Sequence, residues 1–157
     1  MFFRPITRTT VLASQNETRH ILLQNENGPC PLLAAANALL LKGGLTLPSQ
    51  VVRANVASID DVINLLAERT LKSQSDNPES SHHIDELLQL FPSLQFGMDV
   101  NPKFTVGCTG YEYTLGLSAL DLMGVELVHG WLIDPQDEEN GRVVGSKTYN
   151  ELTEMII

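Results

Sequence analysis

The sequence predicts one α+β domain, and three observations carry that expectation. An Ala- and Leu-rich run from Pro31 to Lys42 is closed by Gly43-Gly44. A second helical pattern opens at Ser58 and continues to about Lys72. Short apolar stretches at Arg19–Gln24 and Val125–Ile133 have the composition of strands. The 157 residues are 43% hydrophobic and 18% charged, and a chain near that length buries about 70% of its unfolded surface.

Residues 1–18 are polar and without a clear period, which reads as an N-terminal arm or strand ahead of a domain over residues 19–157. Arg19 to Gln24 suits a short strand that ends in the turn cluster Asn25-Glu26-Asn27-Gly28-Pro29. Pro31 fits the first position of a helix and the glycine pair fits its end. That helix is apolar almost all round, interrupted only by Asn37, and is expected to be buried on most sides. Leu45 to Asn55 reads as a connecting loop around Pro48. Ser58 and Asp61 form a variant capping box for a helix whose apolar residues are Ile59, Val62, Ile63, Leu65, Leu66 and Leu71.

Ser73 to Ser81 reads as a polar surface loop, and His82 to Phe91 as a short helix stopped by Pro92. Residues 98–114 look extended or irregular, Ser118 to Met123 a turn or two of helix, and Val125 to Ile133 a strand. Thr148-Tyr149-Asn150-Glu151 caps a last helix that runs into Met155-Ile156-Ile157. Without Gly, Pro or a basic residue to stop it, that helix reads as interrupted, and the chain as a fragment or half of a larger domain.

Ten basic and nineteen acidic side chains give a formal charge of -9. A protein that tracks phosphates carries the opposite sign, so a nucleic-acid partner is not expected. An acidic surface suits a basic peptide or protein. Two cysteines cannot build a disulfide framework or a four-cysteine zinc site. The N-terminus lacks the apolar run of a signal peptide, and no stretch approaches a membrane span. The expectation is a cytoplasmic or nuclear protein with reduced thiols, no cofactor, no metal and no membrane partner. Nothing in the sequence fixes an oligomeric state.

Cys30 lies between two prolines where a Gly-Pro turn feeds a helix. The free amides and the macrodipole at a helix N-terminus favour an anion, and hence the thiolate. Six residues upstream, the amide of Gln24 could donate to an oxyanion forming beside the sulfur. The two residues fit a nucleophile and its oxyanion donor, and the alternative from spacing alone is a packed thiol acting as a small hydrophobe.

The run Gln24-Asn25-Glu26-Asn27-Gly28-Pro29-Cys30-Pro31-Leu32-Leu33-Ala34 resembles the active-site segment of the MINDY family of deubiquitinases. Met98-Asp99-Val100-Asn101-Pro102-Lys103-Phe104 resembles the family's Leu-Asp-Val-Asn stretch. Val128-His129-Gly130-Trp131-Leu132-Ile133-Asp134-Pro135-Gln136 resembles its His-Gly-Trp-Leu-Val-Asp-Pro-Gln stretch, and Tyr149-Asn150-Glu151-Leu152 continues in register. The matches are collinear from Gln24 to Ile157, which makes the resemblance specific.

This resemblance implies a papain-like cysteine peptidase fold, incomplete in this chain. It implies hydrolysis of isopeptide bonds in ubiquitin chains, with preference for the lysine linkage that marks proteins for the proteasome. The family's nucleophile matches Cys30 and its oxyanion-hole glutamine matches Gln24. The implied reaction is attack by the thiolate, a thioester intermediate, and hydrolysis by water. The family's catalytic histidine lies C-terminal to the last matched segment, and none of His20, His82, His83 or His129 matches it. The alternative is a non-catalytic ubiquitin-binding fragment or pseudo-enzyme.

The remaining features have plainer readings. His129 is expected to pack beside Trp131, and Trp131 to belong to the core. Cys108 reads as a structural or incidental thiol rather than a second nucleophile. His82 and His83 are adjacent, so a helix points them to different faces, and they read as a solvated helix start rather than a metal pair. Asp137-Glu138-Glu139 reads as a solvated turn.

Overall fold

Strand pairing begins at the N-terminus, where Thr- and Phe-containing sequence suits a pleated surface. The computed structural model describes residues 2–12, 15–24, 31–74 and 81–157. Strands β1 (Phe2–Leu12) and β2 (Gln15–Leu23) form an antiparallel pair in a register that runs from Arg4↔Leu23 to Leu12↔Gln15. The first segment is therefore a strand rather than an arm, and the strand read from Arg19 starts earlier, at Gln15.

Helix α1 (Pro31–Lys42) begins at the expected proline and is the centre of the core. Its Leu32, Leu33, Ala35, Ala36, Leu39 and Leu40 are buried. Ala34 and Leu41 stay exposed, so one side of the helix meets solvent. The glycine pair ends it with two bonds: the Gly44 N–H donates to the Leu39 carbonyl at 2.9 Å and the Gly43 N–H to that of Leu40 at 3.2 Å. This is the Schellman arrangement, and it needs the positive φ of 75° that Gly43 adopts. A Cβ there would also lie 2.8 Å from Nη1 of Arg19, so that guanidinium would have to shift.

The stretch read as a loop contains helix α2 (Ser49–Ala54), entered at Pro48 and closed by Asn55 in the left-handed region. Six residues are too few to display a helical period, which is why the element was not legible. Strand β3 (Ala57–Ser58) then pairs with β1 through Phe3↔Ala57 and Phe2↔Ser58, giving a sheet of order β2-β1-β3.

Helix α3 (Ile59–Gln74) opens with the expected reciprocal cap. The Ser58 N–H donates to Oδ2 of Asp61 at 2.9 Å, and the Asp61 N–H donates to Oγ of Ser58 at 3.1 Å. The backbone and hydroxyl bonds from Ser58 hold the Asp61 carboxyl below its ordinary value of 3.8. A depressed carboxylate stabilises the fold above its unfolded value and loses that contribution as pH falls through the folded one. Asp61→Ala is expected to cost about 1 kcal/mol in urea unfolding at pH 7. The difference from the unmodified protein should close as the pH drops below about 4.

Val62 and Leu66 of α3 pack into the α1 core with Leu22 of β2. Arg69, half-buried, donates from Nη1 to the Met123 carbonyl and from Nε to the Gly44 carbonyl at 3.4 Å. One guanidinium thus reaches two chain ends left by helices, where cations are favoured.

Most of the polar segment 73–81 lies outside the described residues. Helix α4 (Ser81–Leu88) ends before the expected Phe91. Phe91 instead starts a 3-10 turn, Phe91–Gln95, with Pro92 in its first turn, where a missing N–H removes no bond. Phe91 and Leu94 reach into the core. Helix α5 (Leu115–Leu122) starts three residues earlier than expected because Thr114 caps it, accepting from the Leu117 N–H at 3.2 Å. Ala119, Leu120 and Met123 complete the core.

Residues 125–134 form no strand. Their composition suits one, but the backbone is tied to neighbours at scattered points: the His129 N–H donates to the Cys108 carbonyl at 2.8 Å and the Ile133 N–H to that of Phe104 at 3.3 Å. Strand propensity is not sufficient without a ladder partner. Asp137-Glu138-Glu139 is not a turn but the start of helix α6 (Glu138–Val144), capped by Asp137, which accepts from the Asn140 N–H at 3.0 Å. Helix α7 (Tyr149–Glu154) carries the expected capping box between Thr148 and Glu151. The last apolar residues, Met155, Ile156 and Ile157, are exposed.

Candidate functional site

The turn cluster and Cys30 lie outside the described residues, which include the two elements on either side. β2 ends at Leu23 and continues into Gln24, whose side chain is exposed. α1 begins at Pro31, the residue after Cys30. The first turn of any helix presents N–H groups that have no partner within it.

These two elements are locked to one another by Asn37. Its Oδ1 accepts from the Leu22 N–H at 2.7 Å, and its Nδ2 donates to the Leu22 carbonyl at 2.8 Å. In a strand the N–H and C=O of one residue point to the same side, so both of these groups face away from β1. Leu22 stands opposite Pro5 in the register, and that pair is accordingly of the non-hydrogen-bonded kind. The polar interruption in the apolar helix thus has a purpose: it completes the outer edge of β2.

The two later motif segments fold together around a second feature. Asn101 is buried, donates from Nδ2 to Oε2 of Glu112 at 2.6 Å, and accepts at Oδ1 from the Asn150 N–H at 3.0 Å. Its carbonyl accepts from the Glu112 N–H at 2.9 Å, and the Tyr149 N–H donates to the Pro102 carbonyl at 3.1 Å. Pro102 bridges to Tyr111, and Lys103 to Thr148. One asparagine therefore ties three segments of the chain into a unit.

His129 is 8% exposed and sits against that unit. Its Nε2 lies 3.1 Å from the Gly110 carbonyl. A carbonyl only accepts, so Nε2 carries the proton. The ring meets Tyr111 edge-on at 5.0 Å and stacks on Trp131 at 6.0 Å. Burial, and then the charge Cys108 carries when ionised, raise the Tyr111 phenol above its ordinary 10.0. It remains a neutral donor at physiological pH.

Val100, Pro102, Tyr111, Leu127, Val128, His129, Gly130, Trp131 and Tyr149 line a cleft of about 670 Å³. The packing of His129 beside Trp131 is as expected, but Trp131 is not core: it is 65% exposed. One part of the indole lies over the imidazole, and among the described residues no opposing strand covers the rest. Val128 and Tyr149 are exposed beside it, at 58% and 52%.

The other singled-out residues are placed as follows. His20 is half-buried on β2, opposite Thr7. His82 and His83 fall in α4, and their side chains lie outside the described residues. Cys108 is an exposed free thiol whose carbonyl receives the His129 N–H. Sequence reasoning missed Asn37, Asn101, Tyr111 and Tyr149. A lone amide in an apolar helix was the available signal for the first; the others become visible only when distant segments meet. No described helix is long and apolar enough to cross a membrane.

Known proteins resemble this chain along nearly its whole length. A family model described as MINDY deubiquitinase matches residues 7–157. The human ubiquitin carboxyl-terminal hydrolase MINDY-1 is 39% identical over 149 residues, covering 91% of this chain and 31% of the relative. The Pongo abelii protein of the same name gives the same identity and coverage. Mouse ubiquitin carboxyl-terminal hydrolase MINDY-2 is 35% identical over 91% of this chain and 24% of its own length. The chain thus spans less than a third of the curated relatives it matches. The family match extends through the strand before Gln24, the helix after Cys30 and the His129 cleft, and by it the chain belongs to the MINDY deubiquitinase family.

Proposed function

We propose that this chain carries the nucleophile and oxyanion donor of a cysteine-type deubiquitinase of papain-like fold, acting on isopeptide bonds in ubiquitin chains. The proposed preference is for the lysine linkage that directs proteins to the proteasome. The observation that carries the reading is the junction of β2 with α1, fixed by Asn37 on Leu22, in a chain of this family. Gln24 directly follows β2 and Pro31 opens α1, two elements that share one core.

The Cys30 thiolate attacks the carbonyl carbon of ubiquitin's C-terminal glycine. Electrons move onto the carbonyl oxygen, and the Gln24 amide donates to that oxyanion. The tetrahedral intermediate collapses, the C–N bond to the lysine breaks, and the amine leaves protonated. Water then hydrolyses the thioester and regenerates the thiol. Proton transfer is assigned to the histidine that the family carries C-terminal to its last segment matched here.

The exposed Trp131, Tyr149 and Val128 support a protein rather than a small-molecule substrate. Trp and Tyr rimmed by polar surface are the residues that anchor protein interfaces, and we assign their cleft to ubiquitin's folded body. The test is to treat the full-length protein with ubiquitin bearing a C-terminal electrophile. A single adduct mapped by mass spectrometry to Cys30 is expected. No adduct, or an adduct on Cys108 alone, overturns the reading.

A further inference from the structure

We propose that Asn37 is a positioning residue for Gln24, fixing the end of β2 on the helix that follows the nucleophile; this rests on the roles of Gln24 and Cys30 given above. The amide makes two bonds to one residue, at 2.7 and 2.8 Å. A single bond would leave a pivot, whereas the pair sets both the place and the rotation of Leu22 relative to α1. Gln24 follows Leu22 by two positions, and Cys30 precedes α1 directly. The clamp thus ties the strand end that leads into Gln24 to the helix that opens one residue after Cys30 in the sequence.

Burial makes the clamp stiff. Leu22 is 2% exposed and Asn37 half-buried, so the two bonds are partly shielded from water. Among uncharged side chains, a primary amide alone offers an acceptor and a donor side by side, in the spacing of a peptide unit. Asparagine is a poor choice for a helix interior on propensity grounds, so its place in an otherwise apolar run fits the bonds it makes. An oxyanion donor is sensitive to such a support, because a misplacement near 1 Å can cost about 10²-fold in rate.

The experiment is a double-mutant cycle on the full-length protein with a ubiquitin C-terminal fluorogenic amide as substrate. Asn37→Asp keeps an acceptor for the Leu22 N–H and turns an oxygen toward its carbonyl. In this variant kcat is expected to fall about 30-fold, with KM within about twofold. Alkylation of Cys30 by iodoacetamide, which forms no oxyanion, should stay within about twofold. In a Gln24→Ala background the same substitution should cost under about threefold, since no donor is left to misplace. Equal losses in the two backgrounds overturn the proposal and leave Asn37 a structural support. Should Asn37→Asp fail to fold by circular dichroism, Asn37→Gln shifts the same amide by about 1.5 Å, and its cycle decides by the same criterion. Failure of the underlying reading would look different: Gln24→Ala alone would run at the wild-type rate, and the positioning role would fall with it.

Discussion

Cys30→Ala in the full-length protein is expected to reduce hydrolysis of ubiquitin conjugates at least about 10³-fold, the scale on which nucleophile deletions act. The methyl group has no electron pair to form the thioester, so the binding surfaces remain but the two-step route closes. An ordinary thiol is only a few per cent ionised at neutral pH. The argument for Cys30 is its place in the sequence, directly before a twelve-residue helix whose first turn presents N–H groups. A thiol placed in such a field is favoured as the thiolate, so on this proposal the electrophile reaction is expected to persist at pH values where a free cysteine has slowed. Release of a C-terminal fluorophore from ubiquitin measures the loss, and circular dichroism checks the fold. Cys108→Ser serves as the control and should retain the full rate, since that thiol is an exposed group whose backbone, not its sulfur, is bonded to His129. A Cys30→Ala protein that still cleaves at the wild-type rate ends the proposed mechanism.

Gln24→Ala should lower kcat by about 10²- to 10³-fold, equivalent to about 3–4 kcal/mol of transition-state stabilisation. KM should change by less than about twofold, because the donor meets a charge that exists only after attack. Gln24→Glu should be no better, since a carboxylate offers oxygen to oxygen. Steady-state kinetics separate the two parameters. A rise in KM with kcat intact would make Gln24 a substrate-binding residue and would remove it from the oxyanion hole.

Parts of this fold were legible because their causes are local. Pro31 and Gly43-Gly44 bound α1, and the caps at Ser58–Asp61 and Thr148–Glu151 mark α3 and α7 within a few residues of sequence. The proposed catalytic pair is likewise drawn from one continuous motif, Gln24 to Ala34. The misses have long-range causes. The strand expected at Val125–Ile133 had the right side chains but, among the described residues, no ladder partner, only scattered bonds such as those to Cys108 and Phe104. Trp131 was assigned to the core on its chemistry, which does not say whether another element arrives to cover it. Asn37 looked like a blemish in an apolar helix until Leu22, fifteen residues earlier, was seen to need both of its bonds. α2 was lost because six residues and a proline look the same whether they turn once or wander.

The Asn37 amide has one more consequence, for molecules that meet rather than for residues within one. β2 is the terminal strand of its sheet among the described residues, and such a border is where a stranger chain can zip on and start a fibril. At Leu22 the vacancy is already taken by a side chain imitating the next strand. An invading backbone would have to evict it and break both bonds before growing past that point, so the border is guarded against recruitment at the end nearest the proposed chemistry.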